Sequence, residues 1–151
     1  MCRIFVITSL WLTLALSAFG LSMEIRVTPK ALDQGAYAFS VTTNAVQGGV
    51  AFHVVISAKT GDISTNCSIG VSVVTHWEPG GSEIVPAKPE IPVAVKKDGR
   101  IWMADFTISH GQLKQIGLCC VFSQYDYFVV EGRRVPAGAA TFYEIKLRDF
   151  L

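Results

Sequence analysis

Three stretches of this chain alternate apolar and polar residues with a period of two, and that alternation constrains the fold more than any other feature. "YAFSVTTN" sets Tyr37, Phe39 and Val41 on one side against Ala38, Ser40 and Thr42 on the other. "VAFHVVIS" groups Val50, Phe52, Val54 and Ile56 opposite His53 and Ser57. "CSIGVSVVTHW" aligns Cys67, Ile69, Val71, Val73 and Trp77 against Ser68, Gly70, Ser72 and His76. Successive side chains of a strand point to opposite faces, so runs of this kind are half-buried strands. No segment beyond the N-terminus sustains a helical period over ten residues. The predicted fold is all-β.

Turn chemistry sets the next expectation. "PVAVKKDGRIWMADFTIS" holds Asp98-Gly99 between two strand-like runs, the signature of a two-residue type I′ hairpin. That loop pairs Lys97 with Arg100, Val95 with Trp102 and Val93 with Ala104. Val93, Val95, Trp102, Ala104, Phe106 and Ile108 then share one face, as one buried face requires. Farther along, "SHGQLKQIG" has room for one helical turn and "GLCCVFSQYDYF" continues as a strand. "DYFVVEGRRVPAGAA" reads as a long loop, and "TFYEIKLRDF" as a last strand with Tyr143, Ile145 and Leu147 inward. In "IVPAKPEIPV" the prolines Pro86, Pro89 and Pro92 stand three apart. Proline cannot donate within a central ladder, so this segment is predicted to be an extended crossover at a sheet edge.

Seven to eight antiparallel strands, with turn signals about every ten residues, predict a single β-sandwich. The order of elements resembles the immunoglobulin-like or fibronectin-like class. Strand, short helical turn, strand, long loop and final strand look like the end of such a domain. The resemblance is one of fold alone. The Cys, Trp, Cys spacing of antibody domains is missing, because Cys67 precedes Trp77 on one predicted strand. No tyrosine stands two residues before a strand cysteine either. A jelly roll or small barrel stays open.

The N-terminus indicates a compartment. "MCRIFVITSLWLTLALSAFG" carries Arg3, an apolar run from Ile4 to Leu16, then small residues. Ala18 and Gly20 fit the small-residue rule of a cleavage site, so residues 1–20 are expected to be a signal peptide cut after Gly20. The run of about 13 residues falls short of the roughly 20 that span a bilayer, so no membrane span is expected in the mature chain. Residues 21–151 then form one domain, exported to the periplasm or the extracellular space, with length for a sizeable core. Its charges balance: 13 Lys and Arg less Arg3 leaves 12, against 12 Asp and Glu. Nucleic-acid binders carry a marked basic excess, so that class is disfavoured.

Four cysteines are present, and Cys2 leaves with the signal peptide. An exported compartment is oxidising, so two of Cys67, Cys119 and Cys120 are expected to pair. A bridge between Cys119 and Cys120 is disfavoured, because consecutive Cα atoms lie about 3.8 Å apart and a disulfide usually needs about 4.4 Å or more. Alternation groups Cys120 with Leu118 and Phe122 on the apolar side and Cys119 with Val121 and Ser123 on the other. Cys67 faces inward too. The predicted disulfide is therefore Cys67–Cys120, closing a loop of about 54 residues and worth roughly 4 kcal/mol. Cys119 is left as the odd thiol.

No GxSxG, HExxH or glycine-rich phosphate loop is present. The chain is accordingly read as non-enzymatic, without a cofactor. His53, His76 and His110 have no short ligand spacing, so no metal set is assigned. His53 and His76 are placed on outward faces of strands that can be neighbours, and Asp105 is read as a solvated carboxylate. Asn66-Cys67-Ser68 matches the glycosylation pattern, but Cys67 is assigned inward and the match is taken as chance.

The candidate binding residues are Tyr125, Tyr127, Phe128, Arg133 and Arg134, around the predicted long loop. Tyrosine and arginine are enriched at interface hot spots. In an immunoglobulin-like order this loop shares one end with "AKTGDISTN" and with Asp98-Gly99. Lys59, Lys97 and Arg100 then join it in a basic, aromatic rim suited to a protein or glycan partner. The expected role is a binding or structural module of the cell envelope or extracellular space. The alternative is a periplasmic metal-binding or redox accessory domain.

Overall fold

The computed structural model describes residues 22–59, 67–78 and 83–151. The expected signal peptide, Asn66 and most of the "AKTGDISTN" loop lie outside the described residues. The strands are β1 Ser22–Val27, β2 Asp33–Gln34, β3 Tyr37–Val46, β4 Gly49–Ala58, β5 Cys67–Trp77, β6 Ile84–Pro86, β7 Ala94–Asp98, β8 Ile101–Ser109, β9 Cys119–Val130 and β10 Arg133–Lys146. They build two five-stranded sheets, ordered β1-β10-β9-β5-β6 and β2-β3-β4-β8-β7. The fold is all-β, and among the described residues ten strands replace the expected seven or eight because short pieces such as β2 and β6 also pair. β1 runs parallel to β10, and every other pair is antiparallel. A 3-10 turn at Gln112–Lys114 occupies the "SHGQLKQIG" segment. The proline segment crosses from edge strand β6 to edge strand β7, as its missing donors require. Among the described residues no helix is long and apolar enough to cross a membrane.

Alternation selects the core. Tyr37, Phe39, Phe52, Val54, Ile56, Trp102, Ala104, Phe106 and Ile108 come from one sheet. They meet Val73, Cys120, Phe122, Tyr143 and Ile145 from the other in one apolar cluster. Tyr37 joins the two sheets: its ring meets Phe122 at 5.0 Å and Tyr143 at 5.3 Å, both edge-on. That geometry suits the ring quadrupoles. Its hydroxyl donates to Gln124 Oε1 at 2.8 Å, so the polar tip is satisfied inside the core.

Three expectations are corrected. The β7–β8 loop is Gly99-Arg100 rather than Asp98-Gly99. Asp98 pairs with Ile101, Lys97 with Trp102 and Val95 with Ala104. Gly99 has φ of 55° and Arg100 is not in the positive region, which fits a type II′ turn, whereas type I′ needs positive φ at both central residues. Moving the loop by one residue changes each partner by two. Two residues are a full strand period, so the facing survives the slip. Val95 is still 46% exposed, because β7 is a sheet edge.

The predicted long loop is instead a hairpin. β9 and β10 close on Glu131-Gly132, with φ of 50° and 75°, the two positive values of a type I′ turn. Glu-Gly is a weaker hairpin signal than Asn-Gly or Asp-Gly, because glutamate rarely takes positive φ.

The Cys67–Cys120 crosslink is absent. Cys119 and Cys120 are both free and buried. Cys120 pairs with Val73 of β5, whereas Cys67 pairs with Asp126. Cys67 and Val73 are thus separated along β5 by roughly 20 Å at about 3.3 Å per residue. A disulfide needs Cα atoms within about 7 Å.

Candidate functional site

β9 and β10 outrun their neighbours. β5 pairs with β9 from Val74–Cys119 to Cys67–Asp126, and β1 pairs with β10 over Ala140–Ile145. Among the described residues, 127–130 and 133–136 therefore form a two-stranded arm beyond the body of the sheet. Its rungs are Tyr127–Pro136, Phe128–Val135, Val129–Arg134 and Val130–Arg133. A ladder imposes alternation, so positions 125, 127, 129 and 134 share one face and positions 128, 130, 133 and 135 the other. The five candidate residues do not make a single rim. Tyr125, Tyr127 and Arg134 occupy positions on one face, and Phe128 and Arg133 on the opposite one.

The arm ends in apolar residues. Val129, Val130 and Val135 are 57%, 52% and 44% exposed, beside exposed Glu131 and Arg133. These valines were not singled out from the sequence. Their signal was the aromatic, β-branched run "YDYFVV", which is strand composition rather than loop composition.

The face that carries Tyr125 continues down the sheet. Tyr125 meets Phe142 edge-on at 5.8 Å, and Phe142 lies 5.3 Å from Trp77. Val74, Cys119, Val121 and Phe142 form a second buried cluster there, on the side turned away from the main core. A shallow groove beside it is lined by Ser72, Val74, Trp77, Ile84, Val121, Ser123 and Phe142. Trp77 was expected to share the face of Val73. A bulge between Val74 and His76 shifts the β5–β6 register, inverts the parity beyond it and puts Trp77 on the outer face.

Cys119, the odd thiol on the face away from the main core, is consequently buried. Burial pushes its thiol up to about 12, with the Glu144 carboxylate adding to the rise. Complete burial raises the Cys120 thiol as well, with a further contribution from Cys119. Both stay protonated at neutral pH, and a thiol is a far weaker nucleophile than a thiolate. They fill space as small hydrophobes.

Two of the other cations expected at the rim, Lys59 and Lys97, are engaged locally. Lys59 is ion-paired with Asp33, and the Lys97 ammonium stands 5.4 Å from the centre of the Trp102 ring. Arg100 lies next to them, its carbonyl accepting from the Ala58 N–H at 2.9 Å. His53 and His76 belong to different sheets and do not act together. His53 sits across a rung from Asp105, with Nδ1 2.6 Å from Oδ1, which gives that carboxylate a partner besides solvent. The chain matches no protein-family model, no curated protein and no solved structure.

Proposed function

We propose that the chain is an exported, non-enzymatic β-sandwich of immunoglobulin-like order that binds a protein partner through the β9–β10 arm. The observation that carries this reading is the arm itself: Val130 and Val135 are exposed on one face of the hairpin beside Arg133, and Val129 is exposed on the other, next to the turn at Glu131. Clustered exposed apolar residues rimmed by polar ones mark interaction surfaces. Valine offers a protein partner apolar area, whereas it offers a sugar neither a stacking ring nor a hydrogen bond.

The sandwich reading is supported by the connections. The chain changes sheet from β1 to β2, from β4 to β5, from β6 to β7 and from β8 to β9, around one shared core. Immunoglobulin-like domains thread two sheets in this manner. Export is supported by the charged start, short apolar run and small residues of 1–20.

The test is site-specific photo-crosslinking in the source cells, with the reactive residue at Val129, at Val135 and, as a control, at Lys96 on edge strand β7. A discrete adduct from Val129 and Val135 but not Lys96 is expected. No adduct, or the same adducts from all three positions, refutes the arm as the binding element. Intact mass of the exported protein should show a chain beginning at Leu21, and an unprocessed Met1 refutes the cleavage.

A further inference from the structure

The bulge that sends Trp77 outward has a second result. It turns His76 to the opposite face of β5, and Glu78, two residues on, faces the same way. The rungs His76–Val85 and Trp77–Ile84 continue to a last one, where the Glu78 N–H donates to the Glu83 carbonyl at 2.9 Å. Glu83 therefore stands directly across from Glu78. One imidazole and two carboxylates meet on one exposed face, each offering a ligand atom within 4.8 Å of the others. On the far side, Trp77 and Ile84 line the groove over the second cluster. That packing holds the β5–β6 pair from the face opposite the three polar side chains. Among the described residues no other group of three His, Cys, Asp or Glu donors converges in this way.

We propose that His76, Glu78 and Glu83 bind a divalent transition-metal ion, zinc being the best match. Two carboxylates directly opposite each other on an antiparallel pair repel, and a cation between them turns that repulsion into attraction. The imidazole decides the class of ion. Magnesium and calcium take oxygen ligands, whereas zinc accepts nitrogen and carboxylate oxygen together. Tetrahedral zinc with bonds of about 2.0–2.1 Å holds its ligand atoms about 3.3 Å apart. The donors must close by up to about 1.5 Å from the present 4.8 Å limit, a shift within reach of two glutamate side chains. Three protein ligands leave the fourth position to water, as in open zinc sites. The site lies at the end of β5 away from the arm, so it does not depend on the arm's partner.

The experiment is calorimetric titration of the protein with zinc chloride in a non-coordinating buffer, after treatment with chelator. One equivalent of saturable binding is expected, undisturbed by excess magnesium. His76→Ala and Glu83→Gln should each weaken it by at least about tenfold, since even the outer partners of metal ligands cost 10–100-fold. His53→Ala and His110→Ala should leave it unchanged. Melting temperatures of His76→Ala, Glu83→Gln and His110→Ala in chelator should match the parent, because the substituted side chains are outside both apolar clusters, whereas His53→Ala also loses the contact with Asp105 and serves as a control for binding alone. Absence of saturable binding, binding that survives His76→Ala, or equal losses from His53→Ala or His110→Ala overturn the proposal.

Discussion

Replacing Phe142 by alanine asks whether the outer face of the β1-β10-β9-β5-β6 sheet is a second core or an ordinary solvent-facing surface. Phe142 is 1% exposed, and its ring touches those of Trp77 and Tyr125. A buried phenylalanine hides roughly 150–250 Å², of which alanine retains only a small part. Losing about 120 Å² of apolar burial at ~25 cal/mol per Å² removes ~3 kcal/mol. The two ring contacts add ~0.5–1.5 kcal/mol each, partly recovered as Trp77 and Tyr125 settle into the gap. The expected loss is ~3–5 kcal/mol, the range of Phe→Ala in cores. The assay is urea unfolding followed by circular dichroism, beside Phe106→Ala from the main core. The two variants should fall within ~1 kcal/mol of each other with unchanged slopes. A loss below ~1 kcal/mol at Phe142, typical of surface positions, refutes the second core.

Gly132 has φ of 75° and open space where a Cβ stands, so Gly132→Ala carries backbone strain alone, ~1 kcal/mol. A Cβ on Gly49 meets the Ile108 carbonyl oxygen at 2.1 Å, so Gly49→Ala should cost at least ~2 kcal/mol, and equal losses in parallel melts refute the reasoning. Cys119→Ala and Cys120→Ala should cost similar amounts, ~1–2 kcal/mol each, because both thiols are buried and neither is bridged. A Cys67–Cys120 peptide in a non-reducing map contradicts the register. The raised thiol values also set a pH dependence. The unfolded chain releases these protons near the ordinary value of about 8.5, and the folded chain retains the Cys119 proton to about 12. That contribution to stability is full below pH ~8 and is lost as pH rises through this window. Stability that holds or rises over the same range refutes the assignment.

The inner face of the β2-β3-β4-β8-β7 sheet was legible because one side of that sheet is dry and the other wet. Tyr37, Phe52 and Trp102 are buried as their alternation requires. Where both sides of a sheet are dry, the pattern loses its contrast. "GLCCVF" reads as one apolar run because Leu118, Cys120 and Phe122 enter the main core while Cys119 and Val121 enter the second cluster. This also accounts for the adjacent cysteines: each is a small hydrophobe on its own side of one strand. The bulge at Val74–His76 was not legible, because a period-two reading has no means of inserting a residue. Trp77 and His76 were assigned to the wrong faces for that single reason. The convergence of His76 with Glu78 and Glu83 followed from the same bulge and from the β5–β6 pairing, which the sequence reading did not draw although Pro79-Gly80-Gly81 marks a turn there.

The arm provides a test that separates binding from folding. Its two strands extend past Asp126 on one side and Ala140 on the other, where β5 and β1 stop pairing. Residues in the arm add little to either cluster, since Val129, Val130 and Val135 are exposed. Tyr127 and Pro136 are partners on a rung, so residues 128–135 can be replaced by Asn-Gly. That pair favours the type I′ turn the parent already makes. The shortened chain keeps the register of every rung below the cut and loses an apolar surface that water reaches. Its stability should stay within ~1 kcal/mol of the parent, in line with changes away from the core. Crosslinking to the partner should disappear, as shown with the reactive residue moved to Tyr127. If the shortened chain unfolds, the arm is a folding element, and the exposed valines owe their place to the hairpin rather than to a partner. If it folds and still captures the partner, the binding surface lies elsewhere. The row of Tyr125, Phe142 and Trp77 is then the surface to mutate next.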